Sequence, residues 1–137
     1  VTLQSDTLTK QAGGRDTARK RAILLMLEQH DEHDYIERGA PPYSATQIAE
    51  YIGGSRPSVA RTLRNMAAAG LLVSVKHRDD VWNAIAQNFI EMPVTAYYSA
   101  RTVERDKVLA KAWADGAEER SNQAMAAMKR AFLGGGA

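Results

Sequence analysis

The stretch SATQIAEYIGGSRPSVARTLRNMAAAGLL, residues 44–72, decides the fold. Ser44 followed three positions later by Gln47 is a reciprocal capping pair, in which each side chain satisfies a backbone N–H of the other at a helix start. Ile48, Ala49 and Ile52 form the apolar face of the helix it opens, and Gly53-Gly54 stops that helix. A second helix begins at once: Ser55 is its cap and Pro57 lies in the first turn, where a missing N–H costs nothing. Val59, Leu63 and Met66 recur at helical spacing on one face, leaving Arg56, Arg61, Arg64 and Asn65 on the others. Ala69-Gly70 ends it. Two helices are thus joined by about three residues, and the next stretch changes period.

After Gly70 the pattern alternates, with Leu71, Val73 and Val75 between Leu72, Ser74 and Lys76, which predicts a strand. Met92 to Ser99, rich in Val, Thr and Tyr, predicts a second, with Pro93 near its start as an edge strand permits. The residues between them, 79–91, are compatible with a short helix at the tip or with extension of both strands. Upstream, Asp16 is an acceptable cap for a helix running to about His30, with Ala18, Ile23, Leu24, Met26 and Leu27 at helical spacing. Asp31 to Pro42 is acidic, closes on Gly39-Ala40-Pro41-Pro42 and reads as a connection. From Arg101 to Leu133 the chain is helical again, broken near Asp115-Gly116.

Residues 49, 53 and 59 carry a resemblance. Ala49 stands where two helices approach closely, Gly53 where the turn needs positive φ, and Val59 where the second helix anchors to the first. With the alternating strand pair behind them, residues 18–99 resemble the winged helix-turn-helix regulators. The resemblance implies a mainly α fold with a small β-hairpin, a winged helix-turn-helix domain at 15–100; outside it the residues themselves read as a flexible arm at 1–14, a C-terminal helical dimerisation segment at 101–133 and a disordered tail at 134–137. It also implies that the helix after Ser55 enters the DNA major groove with its N-terminal half toward the bases.

Composition bears on the same question. The chain has 137 residues, 18 Lys plus Arg against 16 Asp plus Glu, and no cysteine. That excludes disulfides, Cys-ligated zinc, iron–sulfur chemistry and a thiol nucleophile. No run of residues is apolar enough to span a bilayer and no basic-then-apolar leader is seen, so a cytoplasmic protein without a membrane partner is expected. A net charge of +2 argues mildly against nucleic acid, but the sum hides segregation. The 28 residues between Glu50 and Asp79 hold five basic and no acidic side chains, whereas the other 109 hold 13 basic and 16 acidic ones. Neutralising phosphates releases counterions, so concentrated positive charge is what DNA binding requires.

The expected DNA-binding residues are therefore Ser44, Thr46, Ser55, Arg56, Pro57, Ser58, Arg61, Arg64, Asn65, Lys76, His77 and Arg78. Arg56 and Arg61 are assigned to base edges, Arg64 to phosphate, the hydroxyls of Ser44, Thr46, Ser55 and Ser58 to phosphate, and Lys76, His77 and Arg78 to the wing. Capping alone also accounts for Ser44. Val103, Val108, Leu109 and Trp113 mark one apolar stripe before the Asp115-Gly116 break and Met125, Met128 and Phe132 another beyond it, and the dimer contact is assigned to Val103, Leu109, Trp113, Met125, Met128 and Phe132. A helix that cannot bury such a stripe alone buries it against another copy. His30, Asp31, Glu32, His33, Asp34 and Glu37 form a His/carboxylate cluster that reads as a solvated acidic turn, so no metal and no cofactor is expected. Trp82, Phe89 and Trp113 read as packing residues. Tyr97 and Tyr98 alternate, one toward the core and one outward.

The expected function is a double-stranded DNA-binding transcriptional regulator, a homodimeric repressor at a palindromic site. The alternatives are a nucleoprotein factor of a plasmid or phage, in partition, replication or DNA packaging, and a winged-helix protein-interaction module. An enzyme is not expected, since no paired catalytic carboxylates, phosphate loop or nucleophile–base pair is recognisable.

Overall fold

The computed structural model describes residues 17–134, which form six helices and a three-stranded sheet. The arm expected at 1–14 and residues 135–137 of the expected tail lie outside them, whereas Gly134 is the last residue of a helix. Asp16 is also outside. The cap of α1 (Ala18–Glu28) is Thr17, whose hydroxyl accepts from the Lys20 N–H at 3.2 Å. Ile23, Met26 and Leu27 turn the buried face of α1 into the core.

The acidic connection contains a helix of its own, α2 (Glu32–Arg38). Asp34 N–H donates to the Asp31 carboxylate and Asp31 N–H to that of Asp34, a capping box built from two aspartates. Acidic side chains in the first turn favour a helix through its dipole, which is why a segment that reads as a charged connection is ordered. Gly39, at φ +83°, ends it, and β1 (Tyr43–Ser44) follows.

Next come α3 (Ala45–Ile52) and α4 (Arg56–Ala68), in the expected places. The Ser44–Gln47 capping box is present, with bonds of 3.3 and 3.0 Å, and Ser55 caps α4 through the Ser58 N–H. At the far end of α4, Gly70 takes φ +82°. Leu71 N–H then reaches the Met66 carbonyl and Gly70 N–H that of Ala67, the paired bonds by which a left-handed glycine closes a helix.

The sheet order is β1-β3-β2, all antiparallel, with β2 (Leu72–Asn83) and β3 (Asn88–Ser99) in register from Leu72↔Ser99 to Asn83↔Asn88. The residues at 79–91 therefore extend both strands, joined by a turn at 84–87, and no tip helix forms. Each strand of twelve residues reaches about 40 Å at roughly 3.3 Å per residue, so most of the hairpin projects beyond the body. Pro93 is not near a strand start but well inside β3, the middle strand. It is tolerated because β1 pairs only with Ala96 and Tyr97, leaving the other side of β3 unpaired at Pro93.

Ile23, Leu27, Ile48, Val59, Leu63, Met66, Leu72, Tyr43 and Tyr97 form one core beneath the sheet root. Tyr97 and Tyr98 point to opposite faces, yet both are buried, against the expectation of one outward ring. The reason is α5 (Val103–Asp115), which folds back beside β3 and whose Asp106 is close enough to raise the Tyr98 phenol pKa, an effect added to that of burial.

That helix is joined to the body by polar groups. The Glu28 carboxylate accepts from Ser99 and Arg101, and Arg105 donates to the Glu28 carbonyl at 2.6 Å. Asp106 is fully buried and accepts from His30, Thr102 and Arg105. Of the predicted stripe, Val103 and Trp113 are half-buried and Val108 is exposed, so the inward anchor of α5 is a carboxylate rather than an aliphatic side chain. The last helix, α6 (Ala117–Gly134), buries none of its residues.

Candidate nucleic-acid interface

At about 100° per residue, Arg61 lies nearly diametrically opposite the buried face of Val59, Leu63 and Met66, flanked by Pro57, Arg64 and Asn65. All four are exposed. Among the described residues the side chains of Arg61, Arg64 and Asn65 have no hydrogen-bond or ion-pair partner, so their polar ends are available to a ligand. Arg56 is different. Its Nε donates to Thr46 Oγ1 at 2.9 Å, which ties the first turn of α4 to the first turn of α3 and fixes the direction of the guanidinium. Arg64 turns toward the sheet root, where its charge partly offsets the upward pKa shift that burial gives Tyr97.

The hydroxyls are less free. Ser44 and Ser55 oxygens accept the cap bonds of α3 and α4. Ser58 Oγ accepts from Arg19 Nη1 at 2.6 Å, and the same nitrogen is 3.4 Å from Thr62 Oγ1. Arg19 thus holds α4 from α1, a role the sequence did not suggest because the motif lies in α3 and α4, beyond α2. Gly54 makes room for it. The residue has φ +97°, and a Cβ there would stand 3.2 Å from Arg19 Nη2.

The wing splits into two halves of opposite character. Near its root Lys76 donates to Thr95 Oγ1 across the strands at 2.9 Å, and both face the side of Leu72 and Tyr97, which is the side of α4. Arg78 shares that face but is paired with Glu91 at 2.9 Å, so its charge is compensated. His77, by strand alternation, faces the other side. The three wing residues expected to act together are therefore not equivalent. Beyond them, residues 79–91 carry Asp79, Asp80 and Glu91 with no basic side chain, and the exposed Trp82 and Phe89 rings meet edge to face at 5.3 Å. These two are not core residues. Trp113 does pack, against Tyr35 on one side and beneath the Arg120 guanidinium on the other.

The His/carboxylate cluster is dispersed by the fold. His30 is enclosed between Tyr35 and Asp106, while His33 sits on the outer face of α2 beside Glu37. Among the described residues no group of three or more such side chains is arranged to hold a metal ion. No helix among them is long and apolar enough to cross a membrane.

Residues 19–82, a little under half of the chain, match the Crp-like helix-turn-helix domain. The match begins at Arg19 and ends at Trp82 in the outgoing strand of the wing, and it covers both helices of the motif. That segment is a winged helix-turn-helix, and the module it represents binds DNA in transcriptional regulators. No curated protein matches the chain.

Proposed function

We propose that the protein is a sequence-specific regulator of transcription that binds double-stranded DNA as a homodimer and represses by occluding its site. The observation that carries this reading is the outward face of α4, where Arg61, Arg64 and Asn65 stand unpartnered inside a window of sequence free of acidic residues. Arg61 and the Thr46-anchored Arg56 read base edges, where a bidentate guanidinium contact with guanine discriminates by about 1–3 kcal/mol. Arg64 and Lys76 neutralise phosphates, and the backbone N–H groups near Ser44 and Ser55, at helix starts, add neutral phosphate contacts.

Homodimerisation follows from α6. Met125, Met128 and Phe132 are exposed along its length, and Leu109 of α5 is exposed as well, whereas Val103 and Trp113 are half-buried against their own chain. Two recognition helices related by a two-fold axis read half-sites about one helical turn apart, which is why a palindrome is the expected target.

Selection of bound sequences from random duplex DNA tests binding, symmetry and spacing together. A palindromic consensus is expected. Arg61→Ala should weaken binding to that consensus about 5- to 150-fold, the equivalent of roughly 1–3 kcal/mol, with little effect on random duplex. Unchanged specific affinity would remove Arg61 from the groove. Protection of many tandem sites, rather than one, would assign the protein to a nucleoprotein array.

A further inference from the structure

The two halves of α6 differ in side-chain size and in charge, and both differences fall along one face. At about 100° per residue, Ala117, Ser121, Ala124, Met125, Met128 and Phe132 share a sector roughly 100° wide. Its N-terminal half carries small side chains and its C-terminal half large ones, and Met125, Met128 and Phe132 are 66%, 69% and 86% exposed. No residue of α6 is buried against its own chain. Just beyond the Met125 edge of the sector stand Glu118 and Lys129, whose spacing returns the helix to within about 20° of the same direction. Both are exposed, and among the described residues neither has a hydrogen-bond or ion-pair partner. The opposite edge carries Ala124, Ala131 and Arg120, with Arg120 turned onto the Trp113 ring of α5 at 3.3 Å.

A second copy of α6 fits this face in one direction. Parallel pairing sets Phe132 against Phe132 and Ala117 against Ala117, crowding one end and leaving the other empty. It also turns the edge of Glu118 and Lys129 toward the opposite edge of the second copy, which has no acidic side chain. Antiparallel pairing about a two-fold axis between residues 124 and 125 sets Met128 opposite Ser121 of the second copy and Phe132 opposite its Ala117, large against small. Like edges then meet, and Lys129 comes within one helical turn of Glu118 of the second copy, twice by symmetry. These pairs lie at the rim of the contact, where water screens them, so they set its direction more than its strength.

We propose that α6 pairs antiparallel with α6 of a second copy of this chain, with Met125, Met128 and Phe132 against the small side chains of the partner helix and Glu118 paired with Lys129 across the two-fold axis. The contact is closed, since one self-complementary patch is used by both copies. It rests on the homodimer reading above and not on the DNA contacts. Because each winged domain precedes the N-terminus of its own α6, the two domains leave from opposite ends of the helix pair.

The chain has no cysteine, so introduced thiols report the register without background. Under mild oxidation of the full chain, Ser121→Cys mixed with Met128→Cys should give a disulfide between the two variants. Either variant alone should stay reduced, because antiparallel pairing holds like positions about 10 Å apart along the axis, beyond the roughly 4.4–6.8 Å between Cα atoms that a disulfide spans. In sedimentation equilibrium at low salt, Lys129→Glu and Glu118→Lys should each weaken self-association about tenfold, and the two changes in one chain should restore most of it. Circular dichroism confirms that each variant folds. A wild-type chain that stays monomeric overturns both this contact and the homodimer. A dimer in which Met128→Cys links to itself, in which the mixture forms no disulfide, or whose affinity ignores the charge reversals, overturns the antiparallel contact and leaves the homodimer standing.

Discussion

Asp106→Ala should be among the most destabilising single changes in α5. The carboxylate is fully buried and has four bonds: Oδ1 accepts from His30 Nε2 at 3.1 Å and from Arg105 Nε and Nη2 at 3.0 and 2.9 Å, and Oδ2 accepts from Thr102 Oγ1 at 2.7 Å. His30 is itself enclosed, with its other ring nitrogen 2.6 Å from the Tyr35 hydroxyl. A neutral imidazole with its proton on Nε2 satisfies the whole chain of bonds, since Nδ1 then accepts from Tyr35. Removing the carboxylate strands the His30 N–H and the Thr102 hydroxyl, at about 1–3 kcal/mol each. Arg105 is half exposed and regains water, so its lost ion pair adds little. The total, about 3–4 kcal/mol, agrees with the cost of breaking a buried pair by deleting one partner. With a urea slope of about 1.5–2 kcal/mol/M the unfolding midpoint should fall by roughly 2 M. Asp106→Asn keeps the shape and one acceptor, and the Thr102 hydroxyl can rotate to accept from the new amide, so about 1–1.5 kcal/mol is expected. Urea titration followed by circular dichroism reads both. An alanine variant within 1 kcal/mol of wild type, or an asparagine variant as damaging as alanine, would refute the argument that unsatisfied buried donors set the cost.

Three further expectations bear on the rest of the molecule. Gly54→Ala forces φ +97° on a residue with a Cβ and crowds Arg19, so it should cost about 1–3 kcal/mol in thermal or urea unfolding; a neutral effect would mean that the turn is not held as described. Alkaline stability should fall as pH rises above about 10, because burial raises the phenol pKa of Tyr43, and those of Tyr35, Tyr97 and Tyr98, above the ordinary phenol value, so the unfolded chain loses these protons first. Below pH 10 that stability is fully present, and Tyr43→Phe should flatten the decline between pH 10 and 12. Arg64→Ala should lower the slope of log affinity against log salt by about 0.9 while weakening specific and random duplex alike; an unchanged slope would take Arg64 away from phosphate.

The elements legible in the sequence were those set by neighbours along the chain. Ser44 with Gln47, Ser55 ahead of Pro57, and the change from period 3.6 to period 2 after Gly70 all operate within a few residues, and the helices and the wing begin where those signals stand. The Asp31–Asp34 cap is equally local but was obscured by the acidity of its segment, which reads as a connection. Charge segregation was legible as well, because it is a property of order along the chain. Which arginines are free was not. Arg78 is neutralised by a residue 13 positions away, and Arg19 reaches Ser58 across 39.

By itself, then, the sequence determined that two capped helices meet at a glycine turn ahead of a hairpin, since capping and periodicity are local free-energy terms that need no tertiary partner. Only the tertiary structure decided that Tyr98 and Asp106 are inside, that the wing is basic at its root and acidic beyond, and that α6 ends with its apolar face uncovered. Burial and compensation depend on what the chain brings into contact across long separations, and no window of neighbouring residues contains that information.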